Sequence, residues 1–569
     1  MGPQLFKNAV KAFLLLRFCI FYQALQGYPE RGCEVYMKLD YAGIRDKRKW
    51  ISANISLPDF DIQKMVNATA KTPRWLHFGA GNIFRGFVAA LSQTLLESGN
   101  SDTGIIAAES YDTEIIDRIY RPHDNLVLRV IMNADNTYDK KIIASISENL
   151  ISGSLSGWSR LNEIFKYPGL QLVSLTVTEK GYNLYKTDGT FLPEVSEDIA
   201  KLQLYPKHLI SQITALLHTR YKHGRHPITL VSMDNCSRNG DKLKDAVLTL
   251  GREWEKTGLV KEGFIDYLRD ENLVSFPWTM IDKITPRPSP SVARELNKTG
   301  FKSTEIIETS RHTFIAPFVN TEKAEYLIIE DSFPNGRPPL EYAGVMLSDR
   351  ETVEKAEHMK VSTCLNPLHT ALAIFGCLLG YSRISDEMKD PYLLRLVQKI
   401  GYEEGLPVVI DPGILNPAKF IDEVINKRLP NPNIPDTPQR IATDTSQKVS
   451  IRYGETIKAH IRQTGDATSL NYIPLTIAGW LRYLMGIDDS GNTMPLSPDP
   501  LLGELRACLS ESALGNPKPE NIRPVLSNET IFGLNLYEAR LGEKIEGFFE
   551  ELASGKGAVK NTLQKYLSE

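Results

Sequence analysis

WLHFGAGNIFRGF, residues 75–87, decides the fold, because an apolar stretch runs straight into a glycine turn. Residues 75–78 read as a strand, 79–86 as the turn, and 87–99 as a helix with apolar residues at helical spacing and a Gly stop. Small residues at Gly79 and Gly81 let the first amides of that helix, around Asn82 and Ile83, approach a pyrophosphate. Phe84 stands where the third glycine of GxGxxG is usual. The next apolar run, 104–108, ends in Glu109, where a carboxylate accepts hydrogen bonds from the adenosine ribose and repels a 2′-phosphate. NAD is therefore expected over NADP. The plainer alternative is a glycine turn that packs helix on strand, with Glu109 a surface acid.

Working outward, β-like runs at 126–132, 171–177 and 228–233 alternate with helical segments, which predicts a parallel sheet. Residues 314–341 read as further strands and a Pro/Gly-rich turn. After about Asp349 the pattern changes to helices at 367–379, 391–400, 417–427, 456–463, 475–485 and 537–552. The expected fold class is α/β: an N-terminal Rossmann-type doubly wound domain over residues 37–348, then a mostly α-helical C-terminal domain over 349–569. The second domain is expected to carry substrate and catalysis, with the active site in the cleft between the two.

Composition narrows the function. The chain has 569 residues, enough for two to four domains at about 150 each. With 66 Lys+Arg against 69 Asp+Glu, the net charge is −3, and no basic run marks a nucleic-acid partner. The six cysteines are scattered and form no CxxC pair, so neither a disulfide framework nor a structural zinc site is expected, and a reducing, cytoplasmic setting fits. No uncharged apolar stretch of about 18 residues occurs, so no spanning helix and no membrane partner are expected. The start differs from the rest: AFLLLRFCIFYQAL, residues 12–25, imitates a signal-peptide core that Arg17 interrupts. An amphipathic anchor, a weak export signal and non-native sequence compete there. Residues 1–36 read as a non-native or disordered leader, because ordinary sequence begins at Met37. The sequence sets no oligomeric state.

Residues 360–369, KVSTCLNPLH, carry the chemistry. Asn366 suits an N-cap and Pro367 a first helical residue, so a helix begins here. His369 falls in its first turn, where the helix dipole favours a neutral ring. Lys360 reads as lying on a preceding extended stretch, from which it projects into the cleft, where desolvation lowers its pKa toward general-base range. On their own, a cap, a partly buried histidine and a solvated lysine are ordinary features.

KVSTCLNPLHTALA resembles the K…N..H motif of the polyol-specific long-chain dehydrogenases, the mannitol dehydrogenase family. Ordered blocks extend the likeness: FGAGNIFRGF (78–87), TEKGY (178–182), MDNCSRNG (233–240), FPWTMIDKITP (276–286), IIEDSFPNGRPPLE (328–341) and RLPNPNIPDTPQRIATDTSQK (428–448). The resemblance implies that Lys360 is the general base in alcohol oxidation. It implies that Asn235 and Asn366 donate to the developing alkoxide, replacing the zinc of other dehydrogenases, so that no metal is expected. It also implies that His369 orients the substrate, that Glu179 exchanges protons with solvent, and that Asp282 and Arg428 contact substrate. A guanidinium at Arg428 could pair with a terminal carboxylate. Without the resemblance, Asn235 and Asn239 read as turn residues, Asp282 as a cap and Arg428 as a helix-end charge. Two departures stand out: the Lys360–Asn366 interval is one residue longer than the family spacing and calls for a bulge or a shifted lysine, and the FPxxMxD block carries Trp278, Ile281 and Lys283.

The implied activity is NAD(H)-linked interconversion of a secondary alcohol and a ketone on an open-chain sugar derivative. D-fructuronate/D-mannonate is favoured over mannitol/fructose and tagaturonate, and mannitol-1-phosphate is less favoured because no extra basic cluster lies near the motifs. The rival of another class is a catalytically silent dinucleotide-binding protein on the same scaffold.

Overall fold

The computed structural model describes residues 36–201 and 205–568. The leader expected over 1–36 lies outside the described residues except for Tyr36. Six parallel strands form the central sheet: β1 (Trp75–Phe78), β2 (Ile105–Glu109), β3 (Ile146–Ile151), β4 (Leu172–Leu175), β5 (Ile228–Ser232) and β6 (Val274–Ser275). Their spatial order is β3-β2-β1-β4-β5-β6, the doubly wound order whose switch point lies between β1 and β4. The central strands are buried along their whole length because helices cover both faces, so they read as unbroken apolar runs. Gly79 is required where β1 ends: its φ is +103°, and a Cβ would sit 2.4 Å from the Thr176 carbonyl oxygen.

The run at 126–132 does not join this sheet. Val127–Met132 pairs antiparallel with Tyr138–Ile143 across a tight turn in which Asn136 has a φ of 65°, and parallel with Phe318–Glu322. The missed strands, Tyr138–Ile143 and β3, carry charged residues on half-exposed faces and so lack an apolar signature. A third sheet of Thr279–Asp282, Tyr326–Glu330 and Met346–Ser348 leads into the helical half.

That half opens with α1 (Arg350–Met359), capped by Asp349, whose side chain accepts from the Thr352 amide at 2.8 Å. A π turn, Lys360–Cys364, follows, then a break at Leu365 and α2 (Asn366–Leu379), which ends at Gly380 with a φ of 78°. Lys360 is therefore helical and not extended: no helix breaker occurs before Pro367, so the helix runs on. A π turn holds one residue more than an α turn, which absorbs the long Lys360–Asn366 interval. By length and composition Arg350–Leu379 is apolar enough to cross a membrane, but 78% of its apolar window is buried inside the protein. Leu372, Ile374, Phe375 and Leu378 are fully buried, each contributing about 1.5–3 kcal/mol. Gly479 lets the helix Tyr472–Leu484 close on α2, since a Cβ there would meet the Phe375 ring at 2.6 Å. The helix expected over 537–552 starts at Gly542, because Asn535 folds back on the Tyr537 amide and Arg540 is left-handed at a φ of 59°, and a further helix, Ala558–Leu567, follows it.

One buried cluster ties the halves together. Arg428, at the end of the π turn Val424–Arg428, donates to both oxygens of Asp282 (2.5 and 3.0 Å) and both of Glu322 (3.2 and 3.1 Å). Asp282 and Glu322 end strands of two different sheets in the first half. Burial works to raise the Asp282 pKa, but Arg428 and Lys360 outweigh it and hold the carboxyl below its ordinary range. Burial wins at Glu322, pushed up to about 7, since Asp282 opposes a second negative charge beside Arg428.

Removing the cation strands two buried carboxylates. Arg428→Met is expected to lower unfolding stability by about 3–5 kcal/mol at pH 8. The loss should shrink at pH 5, where Glu322 is already protonated, and urea unfolding at the two pH values reads it. A second group gives a separate pH dependence. Glu387 packs on α2 where a Gly376 Cβ would lie 2.2 Å from its Oε1, neither carboxylate oxygen has a hydrogen-bond partner, and burial pushes its pKa from 4.5 up to about 9. The folded state thus holds a proton that the unfolded chain releases above about 4.5, so stability falls as pH rises from there through about 9. Glu387→Gln should raise the Tm at pH 8 and leave it nearly unchanged at pH 4.5, in thermal melts across that range.

Candidate active site

A cavity of about 440 Å³ opens where the C-terminal ends of β1 and β5 face the helical half. Its lining brings together Ile83, Asn235, Asp282, Asn366, His369 and Arg428, six of the residues singled out in the sequence. Lys360 stands directly behind that wall. Its Nζ donates to Asn235 Oδ1 at 2.7 Å and to the Ile281 carbonyl at 2.8 Å, and both partners line the cavity. Burial lowers the Lys360 pKa, against Asp282 and Glu357, whose charges raise it. An ammonium offers no acceptor, so Asn235 turns its oxygen to the lysine and keeps its NH₂ for the cavity.

The loop bearing Asn235 is fixed from below. Asp234 accepts from the amides of Val177 (3.0 Å) and Thr178 (2.9 Å) and from the Tyr182 hydroxyl (2.5 Å), tying the loop after β5 to the loop after β4. Thr178 is held at a φ of 65°, a strained conformation that this anchoring maintains. Asn239 is a buried brace rather than a turn residue: its NH₂ donates to the Asp234 carbonyl at 3.0 Å, and its oxygen accepts from the Thr279 amide at 3.0 Å.

Asn366 is the first helical residue of α2 and not its cap. Leu365 holds the cap position without a side-chain bond, so the Asn366 amide is not spent on capping and faces the cavity. His369 follows on the same face, with Nε2 3.4 Å from Asp436 Oδ2 but without hydrogen-bond geometry. Burial works to raise the Asp436 pKa, but His369 and Arg440 hold that carboxyl below its usual range.

Other expected residues stand differently. Glu179 is largely exposed, pairs with Lys242 and does not line the cavity. Glu357 instead lies one turn before Lys360 on the same helix and acts on it electrostatically. The i, i+3 spacing is visible in the sequence, but reading Lys360 as extended hides it. Arg428 lines the cavity, yet its donors go to Asp282 and Glu322, so it is not free for a terminal carboxylate of a substrate.

The glycine turn fits a dinucleotide. Nothing lies within 4 Å of a Cβ built on Gly81, leaving the backbone open above the start of the helix. Glu109 does not stand as a surface acid: it is buried, and its carboxylate accepts from the amides of Ala80 (2.7 Å), Ser110 (3.0 Å) and Tyr111 (2.8 Å), bracing the turn against the loop after β2. Phe84 stacks on His77 at 4.6 Å, filling the place of the third glycine. Close approach is provided by Gly86, where a Cβ would lie 3.1 Å from the Thr285 methyl. Among the described residues no group of three or more His, Cys, Asp or Glu could hold a metal ion.

Comparisons with known proteins place this arrangement. A family model described as the mannitol dehydrogenase Rossmann domain matches residues 73–342, and one described as the mannitol dehydrogenase C-terminal domain matches 352–553. The chain is 55% identical to a D-mannonate oxidoreductase of Thermotoga maritima over 93% of this chain and 99% of that one. A D-mannonate oxidoreductase of Escherichia coli is 29% identical, over 76% of this chain and 84% of that one. Among solved structures, Pseudomonas fluorescens mannitol 2-dehydrogenase in complex with NAD and D-mannitol is 25% identical, with a TM-score of 0.68 over 94% of this chain and 100% of that one. With both halves matched and the cleft between them built from the K…N..H residues, this chain belongs to the mannitol dehydrogenase family.

Proposed function

We propose that the chain is an NAD(H)-dependent oxidoreductase that interconverts a secondary alcohol and a ketone on an open-chain sugar acid, D-mannonate and D-fructuronate, in the cytoplasm. The observation that carries this reading is the buried Lys360 ammonium held by Asn235 at the wall of the cavity. The 55% identity to the Thermotoga maritima D-mannonate oxidoreductase supports the choice of substrate. Gly79, Gly81, Asn82 and Ile83 would hold NAD, with Glu109 bracing the turn, and NAD would supply the hydride acceptor for oxidation.

This chain's own groups handle the proton and the charge. Neutral Lys360 takes the hydroxyl proton, and its buried position lowers the cost of losing its own charge. The amides of Asn235 and Asn366 donate to the alkoxide as it forms, fixed dipoles that need no reorganisation. His369 orients the reacting hydroxyl. Glu357, a turn away from Lys360, is placed to draw the proton onward; Glu179, at the surface beside Lys242, is suited to exchange with solvent rather than to contact with substrate. The helical half supplies Lys360, Asn366 and His369, and the first half supplies Asn235 and the cofactor turn. A silent dinucleotide-binding protein would have no use for the Lys360–Asn235 contact.

A steady-state assay of NADH oxidation against fructuronate, tagaturonate and fructose tests the reading, with fructuronate expected to turn over fastest. NADH binding without turnover of any of the three would favour the silent protein. Lys360→Ala should cut turnover by about 10²–10⁴-fold and leave NADH affinity nearly unchanged. In the wild-type enzyme, oxidation needs the neutral lysine, so kcat/KM for mannonate should rise with pH to a plateau whose inflection lies below the ordinary lysine value of 10.5, an inflection absent from the variant. Activity should survive EDTA.

A further inference from the structure

D-Mannonate and mannitol are identical around the carbon that reacts. They differ only at the far end of the chain, where one carries a carboxylate and the other a hydroxymethyl group. Lys360, Asn235 and Asn366 therefore cannot tell them apart, and discrimination has to come from whichever cavity group meets the far terminus of the substrate.

Three strongly basic side chains line that cavity, Lys283, Arg428 and Arg440. Two are committed. Lys283 is buried and donates to the Glu322 and Ala324 carbonyls and to Glu325, and Arg428 is consumed by Asp282 and Glu322. Arg440 has one terminal nitrogen on Asp436, and its side chain is 62% exposed. Its remaining donors leave one edge of the guanidinium fork available. Ser385 lines the same cavity and is 3% exposed, and its buried hydroxyl has no hydrogen-bond partner. A buried hydroxyl left unpaired costs free energy unless a ligand completes it. Ile384, which precedes it, donates its amide to the Asp436 carbonyl, so Ser385 and Arg440 are fixed to the same residue.

Resting on the sugar-acid reading above, we propose that Arg440 and Ser385 form the subsite for the distal carboxylate of the substrate and so determine its specificity. One guanidinium edge and one hydroxyl match a singly charged carboxylate. A phosphate dianion would demand more cation than this wall offers.

The test compares Arg440→Met, Arg440→Lys and Ser385→Ala with the wild-type enzyme, measuring kcat/KM for fructuronate, fructose and fructose 6-phosphate, and NADH affinity. In Arg440→Met, kcat/KM for fructuronate should fall roughly 10- to 100-fold, mainly through KM, as for loss of a charged hydrogen bond. The value for fructose should fall far less, so that the ratio of the two collapses. Arg440→Lys should recover part of the ratio, Ser385→Ala should lose a smaller part, and NADH affinity should hold in all three. Equal losses for fructuronate and fructose, or no loss for either, would overturn the subsite while leaving the sugar-acid reading intact. A wild-type enzyme that turns over fructose or fructose 6-phosphate in preference to fructuronate would overturn both.

Discussion

The site exists only because Arg428 stays between Asp282 and Glu322. Neither half of the chain owns the cavity: Asn235 belongs to the α/β half, whereas Asn366, His369 and Lys360 belong to the helical half. Four charge-assisted hydrogen bonds in a water-excluded place hold the halves in one relative position. Such a cluster is a poor source of net stability, since desolvating three charges costs much of what their attraction returns. Its value here is register. The same Asp282 that binds Arg428 also acts on Lys360, so the clamp that sets the geometry contributes to the electrostatics of the proposed base.

Within that frame, the helix from Arg350 to Leu379 solves a placement problem. A continuous α-helix would carry Lys360 and His369 on faces set by its own period. The π turn and the break at Leu365 reset that phase, so that the lysine enters from behind Asn235 while Asn366 and His369 present themselves from the start of a new helix. Breaking the helix also exposes fresh amides at the beginning of α2, which is why a polar first turn is tolerated in an otherwise apolar core.

Much of this is legible in the sequence, for a physical reason. The glycine turn, the parallel strands and the helical half are local patterns, and each is enforced by residues close in sequence, as Gly79 shows. What escaped was set at long range or by polarity. The strand β3 hides behind ISENLI because its edge position lets it stay polar. Glu109 was placed correctly along the chain, but its four-residue neighbourhood could not reveal that backbone amides from two loops would claim its carboxylate. Arg428 reads in the sequence as a helix-end charge or, by resemblance, a substrate contact, whereas its partners in the structure lie more than a hundred positions away. Lys360 stands out by resemblance alone, whereas its helical setting, and with it Glu357, depends on a π turn that no local residue pattern signals.

The cavity divides its labour by where charge is left unsatisfied. At the reacting end every strong charge is answered: Lys360 by Asn235 and a carbonyl, Asp282 and Glu322 by Arg428. Asn235 and Asn366 present neutral amide dipoles there, so charge that develops is met by groups already oriented. Elsewhere on the lining Arg440 keeps donors beyond its pair with Asp436, and the Ser385 hydroxyl is unpaired. With the proposed carboxylate subsite occupied, binding energy from the far terminus of the substrate would orient the near one, the condition under which remote contacts aid catalysis instead of merely tightening the ground state.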